Sequence, residues 1–192
     1  MRYVSLLPIL LAALGHVPMA DANPMTFGGS LSGANVTVPN NSPGTGTFAI
    51  ILDPTAQTAQ IDASFANLTG TDTAAHIHCC SLTQSSAGGA TVLPSWPGFP
   101  LGVNQGTYSS PVFSLGEASF YTPAFITAQG GLAQAEAALI SGIEDGEAWF
   151  GIHSTTFPTG EIGTQILPAG EPASLALLAS ALVGLRMTRR RT

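Results

Sequence analysis

The sequence predicts a mainly β protein, an antiparallel, Greek-key-like β-sandwich with one short helix. Three observations support this fold class: short segments that alternate apolar and polar residues, turn residues between those segments, and a single alanine-rich run. The clearest alternation runs through residues 147–154 and resumes at 162–166, after a turn that contains Pro158 and Gly160. Alternation with period two is typical of a strand with one buried face. We expect these two segments to form the closing hairpin of the sandwich.

The remaining elements follow from the same signals. Segments 46–52 and 60–68 predict a hairpin, because only a short turn-forming link separates them. Residues 73–78 predict the next strand. Good helix formers fill 132–141 and Gly142 follows them, which predicts a helix that connects the two sheets.

A long segment at 81–106 is rich in Gly, Ser and Pro and contains Trp96, Phe99 and Leu101. Loops of this length without periodicity are uncommon in a compact domain. Two interpretations stay open at this stage. The segment either packs over the sandwich as a cover or serves as a binding loop.

The charge distribution excludes several classes of partner. The chain has five arginines and no lysine, and all five arginines lie at position 2 or within 186–191. Between Asn23 and Gly170 there are nine acidic residues and no Lys or Arg, so the formal charge of that span is −9 with His neutral. Without cationic side chains the body cannot neutralise phosphates, which excludes nucleic acid and argues against an anionic lipid surface. Cations, sugars and other proteins remain as partners.

The N-terminus has the features of a secretory signal peptide. Arg2 precedes an apolar run at 4–17, and Ala20-Asp21-Ala22 offers small residues for cleavage after Ala22. We therefore expect 1–22 to be a signal helix and the protein to be exported. The polar stretch at 23–44 predicts a flexible N-terminal arm, with an edge strand at 35–38 as the alternative, and the domain proper is expected at 45–168.

The tail at 169–192 predicts a membrane helix. An apolar run at 173–185 ends in an arginine cluster, as cytoplasmic ends of membrane segments do. Its thirteen residues are fewer than the roughly 20 needed to span a bilayer. Glu171-Pro172, this short helix and the arginines resemble the PEP-CTERM sorting signal of exopolysaccharide-producing Gram-negative bacteria, although Gly170 stands where the motif has proline. The resemblance implies recognition by an exosortase, transient membrane anchoring, removal of the tail, and a cell-surface or extracellular location.

His76, His78 and His153 form the candidate site. Two histidines at i and i+2 on a strand share a face, and a third from a neighbouring strand would complete three nitrogen ligands for copper or zinc. The spacing is similar to the His-x-His copper ligands of copper-zinc superoxide dismutase. Alternatively the histidines are hydrogen-bonded structural residues, with Glu161 accepting an imidazole N–H. A redox or hydrolytic site is a third interpretation, and the lack of a cationic residue to steer an anionic substrate weighs against it.

Cys79 and Cys80 are adjacent and are the only cysteines, so a long-range disulfide within the chain is impossible. Three interpretations remain: a vicinal disulfide, thiolate ligands that join the histidines, and bridges between chains.

The segments around His76-Ile77-His78 and His153 to Glu161 resemble the CHRD domain, which is repeated in chordin and found singly in bacterial secreted proteins. The resemblance covers about 45–168 and implies an extracellular β-sandwich without a settled reaction. We therefore expect an exported, non-enzymatic module with a binding or structural role at the cell surface or in the extracellular matrix. Its expected partner is an extracellular protein or polysaccharide. The alternative is a copper- or zinc-binding metalloprotein with a superoxide-dismutase-like site at His76, His78 and His153, and no other cofactor is expected.

Overall fold

Alternating apolar residues build ten antiparallel strands in the computed structural model, which describes residues 24–169. The strands run in the order β5-β4-β8-β9-β1-β2-β3-β6, while β7 pairs with β3 and β10 pairs with β1. Their bounds, and those of two helices, are β1 (Met25–Ser32), β2 (Thr45–Asp53), β3 (Thr58–Ala66), β4 (Asp72–Cys79), β5 (Gly88–Gly89), β6 (Gly106–Ser109), β7 (Phe113–Ser114), α1 (Pro123–Gln129), α2 (Leu132–Glu144), β8 (Trp149–Ser154), β9 (Ile162–Gln165) and β10 (Leu167–Pro168).

The sheet is a single curled half-barrel. Phe48 on β2 stacks on Phe150 on β8 with ring centroids 4.1 Å apart, although β9 and β1 lie between these strands in the sheet. The two strands can meet in this way only if the sheet curls around its own apolar side chains. A mainly β, antiparallel protein was predicted correctly, but the expected sandwich of two sheets is replaced by one continuous sheet. β1 and β9 are paired only at Ser32 and Gly163, so one short contact joins the two parts of the sheet.

The segment predicted as a flexible arm contains β1, which is a central strand. It pairs with β2 along its whole length, from Met25 opposite Leu52 to Ser32 opposite Thr45. Phe27 and Leu31 on β1 are buried in the core. Glycines interrupt the apolar alternation of this strand, so it was not predicted from the sequence. Packing requires one of them, because a Cβ at Gly28 would collide with the carbonyl oxygen of Phe48. The alternative of an edge strand at 35–38 is also wrong, since Asn35 ends a 3₁₀ turn and 36–38 is a bend.

The predicted helix at 132–141 is confirmed as α2 and continues through Gly142 to Glu144. Glycine within α2 permits close packing against β4, because a Cβ at Gly142 would meet Sγ of Cys79 and lie 3.0 Å from Sγ of Cys80. The other helix, α1, was not predicted. Its start has clear signals, since Pro123 occupies the first turn and the Thr122 hydroxyl accepts a hydrogen bond from Phe125 N at 3.1 Å.

Within residues 24–169, no helix is long and apolar enough to cross a membrane. The predicted signal helix with its cleavage site after Ala22 lies outside the described residues. The sorting motif at Glu171 and Pro172 and the apolar helix that follows it also lie outside them.

The 81–106 segment packs over the sheet as a cover. Trp96 is 1% exposed, and its ring lies 6.1 Å from that of Phe150. The buried carboxylate of Asp72 fixes the return of the segment by accepting a hydrogen bond from Val103 N at 2.8 Å. The segment also borders a cavity of about 190 Å³, so a binding role for it stays a prediction. The cavity is lined by Val92, Trp96, Pro97, Val112, Phe113, Ser114, Glu117, Ser119 and Phe120.

Candidate metal centre

The pairing of β4 with β8 places the three histidines on one face of the sheet. His76 lies opposite Gly151, His78 opposite Trp149, and His153 opposite Ala74. Residues two apart on a strand, and residues directly opposite each other on paired strands, point to the same side. The intervening apolar residues of both strands are fully buried in the core. The imidazoles therefore lie together on the face away from the core.

The three rings are close enough for one ion. Ring centroids are separated by 4.6 Å for His76 and His78, 4.7 Å for His76 and His153, and 5.8 Å for His78 and His153. One nitrogen from each ring lies within 4.8 Å of the others. An ion with metal–nitrogen bonds of about 2.0–2.1 Å holds tetrahedral ligands about 3.3 Å apart. A modest contraction of the side chains would bring the nitrogens to that distance.

Backbone carbonyls orient two of the rings. Nδ1 of His78 lies 3.1 Å from the carbonyl oxygen of Ala87, and Nδ1 of His153 lies 2.9 Å from that of Pro158. A carbonyl oxygen can only accept, so in the neutral rings Nδ1 carries the hydrogen and Nε2 keeps its lone pair. Metal-ligating histidines are held in this way, with the second ring nitrogen donating to a carbonyl or carboxylate.

Two ring nitrogens are buried without a partner. Nδ1 of His76 and Nε2 of His153 have no hydrogen-bond partner among the described residues. Burial, together with the neighbouring His78 and His153, lowers the pKa of His76 to about 3. The Pro94 carbonyl opposes this shift in pKa, but it does not reach hydrogen-bond geometry with Nδ1.

Burial also lowers the pKa of His78, against the opposing effect of the Ala87 carbonyl, and His153 adds to the lowering. Both His76 and His78 are therefore neutral at physiological pH. Neutral imidazole is the form that binds a metal ion.

Glu161 does not contact the imidazoles, contrary to the expectation that it accepts a histidine N–H. Its carboxylate is fully buried and accepts hydrogen bonds from the Ser42 hydroxyl, Thr69 N and Gly70 N. Burial favours the neutral carboxyl, but hydrogen bonds from Ser154, Ser42, Thr69 and Gly70 outweigh it and hold the pKa below its ordinary value. The Pro158 carbonyl takes the place next to His153 that was expected for this side chain.

Cys79 and Cys80 are joined by a disulfide, and no free cysteine exists among the described residues. Sγ of Cys80 packs 3.2 Å from the Ala138 carbonyl oxygen on α2. Because Cys79 follows His78 directly on β4, its side chain points away from the imidazole face. In this structure the sulfurs therefore neither complete the histidine cluster nor bridge two chains.

The groups that hold the imidazoles in place were not predicted from the sequence. The carbonyls of Ala87 and Pro158 are backbone groups, so side-chain identity gives no signal for them. Nor was Gln84 predicted, which lies near the cluster in a 3₁₀ turn after β4. Nothing in a Ser-rich loop distinguishes that glutamine from a solvated one.

A curled antiparallel sheet with three convergent imidazoles on its outer face defines the class of protein: a β module with a candidate transition-metal centre. The family model of the CHRD domain matches residues 27–166, and the chain belongs to that family. The match begins in β1, well before the start at 45 expected from the sequence. No curated protein and no solved structure matches the chain.

Proposed function

We propose that this CHRD protein is an exported, non-enzymatic module that holds one copper or zinc ion on His76, His78 and His153. One observation carries the metal assignment: the three imidazoles converge, with one nitrogen from each ring within 4.8 Å of the others, and buried ring nitrogens of His76 and His153 have no partner. Membership of the CHRD family supports a binding or structural module. The metal site gives that module a specific ligand.

The alternative is that the histidines are hydrogen-bonded structural residues. Such residues would use both ring nitrogens, because a buried polar atom without a partner costs roughly 1–3 kcal/mol. Here Nδ1 of His76 and Nε2 of His153 lack partners. A cation bound to the facing lone pairs would remove the penalty on His153, and no Lys or Arg exists in 24–169 to do so.

A non-enzymatic role fits the charges of the domain. Its nine acidic residues repel anionic substrates, and no cationic side chain between 23 and 170 can steer or stabilise one. The same acidic surface attracts cations. An extracellular protein or a polysaccharide is the proposed partner, recognised through the sheet surface and the 81–106 segment.

Export is part of the proposal. The signal peptide ending at Ala22 and the PEP-CTERM-like motif at Glu171 and Pro172 support a Gram-negative bacterial host, processing by an exosortase, and delivery to the cell surface or matrix. A disulfide between Cys79 and Cys80 fits an oxidising compartment.

Metal titration of the purified chain tests the ion site. We expect one equivalent of Cu²⁺ or Zn²⁺ by calorimetry. We also expect His76→Ala, His78→Ala and His153→Ala each to weaken binding by about 100-fold or more, beyond the 10–100-fold that loss of an outer-shell partner costs. Thr73→Ala, an exposed change on the same strand, is the matched control and should bind as the wild type does.

Circular dichroism of each variant separates ligand loss from unfolding. His153 is less buried than His76, so we expect His153→Ala to stay folded while it loses the ion. A folded wild-type chain that takes up no stoichiometric metal, together with an unfolded His76→Ala variant, would instead support the structural role of the histidines.

A further inference from the structure

Two glycines border the imidazoles and leave space beside them. Gly151 lies opposite His76 on β8, and Gly89 lies opposite His78 on β5. A Cβ at Gly89 would have only the His76 ring nearby, at 3.8–3.9 Å. Neither glycine has a positive φ, so neither is required by its backbone conformation. Their shared property is open space on the face that carries the histidines.

The space beside Gly151 is bounded by Gln84. A Cβ at Gly151 would lie 3.8 Å from Nε2 of His153 and 3.9 Å from Nε2 of Gln84, with no other neighbour within 4 Å. Gln84 and one of the three ring nitrogens therefore border the same space beside Gly151.

Hydrogen bonds hold both ends of the turn that carries Gln84 next to the site. Before it, Trp149 Nε1 donates to the Ser81 carbonyl oxygen at 3.1 Å. After it, Ala87 offers its carbonyl oxygen to Nδ1 of His78. Within the turn Gln84 is half-buried, whereas Ser85 and Ser86 are exposed. The glutamine side chain is thus directed inward, toward Gly151.

We propose that the amide oxygen of Gln84 is the fourth ligand of the ion held by His76, His78 and His153. The inference rests on the proposed metal function. Rotation of the Gln84 amide by 180° exchanges its oxygen and nitrogen, which places the oxygen on the side of the imidazoles. Four protein ligands close the coordination sphere, and closed sites are typical of structural metal centres, whereas catalytic ones keep a position open. Gln84 therefore gives this site a non-catalytic character.

Copper binding and azide access test the role of Gln84. In the purified Cu²⁺-loaded wild-type chain, azide should produce no charge-transfer band and no change in the electron paramagnetic resonance spectrum. Gln84→Ala should bind Cu²⁺ about 10–100-fold more weakly and should gain the azide band, because the fourth position is then free. Gln84→Glu, which keeps an oxygen at the same reach, should restore affinity and block azide.

Two further variants act as controls. Ser85→Ala changes the neighbouring residue in the same turn and should behave as the wild type does. Gly151→Ala should fold normally, since its Cβ meets nothing closer than 3.8 Å, but it should weaken Cu²⁺ binding by filling the space beside Gln84 and His153. Gly88→Ala, where a Cβ meets nothing within 4 Å, is its matched control and should leave Cu²⁺ affinity unchanged.

The outcomes separate this inference from the proposed function. A wild-type chain that binds neither copper nor zinc overturns both. A wild-type chain that binds copper, while Gln84→Ala keeps the same affinity and the same response to azide, overturns only the role of Gln84 and leaves a three-histidine site.

Discussion

Two buried titratable groups, Glu161 before β9 and His76 on β4, have opposite charge states that follow from their hydrogen bonds. The Glu161 carboxylate receives donors from three separate segments, so it is held ionised despite full burial. His76 receives no donor or acceptor of good geometry, so burial keeps it neutral. The contrast shows that the number of partners, rather than burial alone, determines the charge state of each group.

Replacement of Glu161 by glutamine should destabilise the fold. Glu161→Gln removes a charged acceptor and turns an NH₂ group either toward the donors on Ser42 and Thr69 or toward Gly70 N. We expect a loss of about 1.5–3 kcal/mol in the free energy of unfolding at pH 7, the range for a hydrogen bond to a charged group. Urea unfolding monitored by circular dichroism gives the value.

The difference in unfolding free energy between the wild type and Glu161→Gln should depend on pH, and the pKa shift of Glu161 gives the sign. The pKa of Glu161 is lower in the folded chain than its ordinary value of 4.5, so the unfolded chain takes up a proton first as pH falls. The stabilisation is complete above pH 4.5 and is lost as pH falls through the lowered value, so the wild-type advantage should shrink from pH 7 to pH 3. Glu117→Gln, an exposed counterpart, should match the wild type at both pH values. A constant gap between wild type and Glu161→Gln would contradict this account.

Spacing in the sequence is enough to predict that the histidines meet, but not what else touches them. The i, i+2 pair on β4 and the closing hairpin are local patterns, and the register of β4 with β8 follows from which residues are apolar. The partner of Glu161 was predicted wrongly, in part because two of its donors are backbone N–H groups on a distant turn. Side-chain identity contains no information about such groups.

Among the longer elements, the 81–106 segment contributes to stability through its aromatic residues. Trp96 lies within stacking distance of Tyr108 and Phe150 and is almost fully buried. Trp96→Ala should therefore cost about 3–5 kcal/mol in the free energy of unfolding, the usual range for removing a buried tryptophan. Chemical denaturation monitored by far-ultraviolet circular dichroism measures it.

Leu82 provides the comparison within the same segment, because its side chain is 69% exposed. Leu82→Ala should change the free energy of unfolding by no more than about 0.5 kcal/mol. If Trp96→Ala cost under about 1 kcal/mol, the segment would not be a cover of the core, and its aromatic residues would need another explanation.

Strands and helices were predicted correctly where the apolar periodicity was uninterrupted. They were missed where glycines interrupt the pattern, as in β1, or where the main signal is a helix cap, as in α1. The strands β2, β3, β4, β8 and β9 and the helix α2 have clear apolar periodicity. In β1, Gly28 and Gly29 break the pattern although the strand is central. The curl of the sheet was not predicted because it depends on the contact of Phe48 with Phe150, about 100 residues apart in the sequence.

For the molecule as a whole, cationic residues are confined to the predicted targeting segments. The five arginines lie at position 2 and at 186–191, and the full chain carries a net charge of −6. Removal of residues 1–22 and of the tail would leave a body with no Lys or Arg. Such a body has no site at which trypsin, which cleaves after those residues, can act.

Resistance to trypsin therefore reports processing. We expect the chain recovered from the surface or medium of an exosortase-carrying Gram-negative host to begin at Asn23, to lack Arg186 to Arg191, and to yield no fragments from trypsin even when denatured. Mass spectrometry before and after digestion checks all three. The double variant Glu171→Ala with Pro172→Ala should keep the arginines and lose them to trypsin, because the sorting motif is then absent. Recovery of the wild-type chain with an intact arginine tail would contradict exosortase processing, and recovery with Met1 retained would contradict cleavage after Ala22.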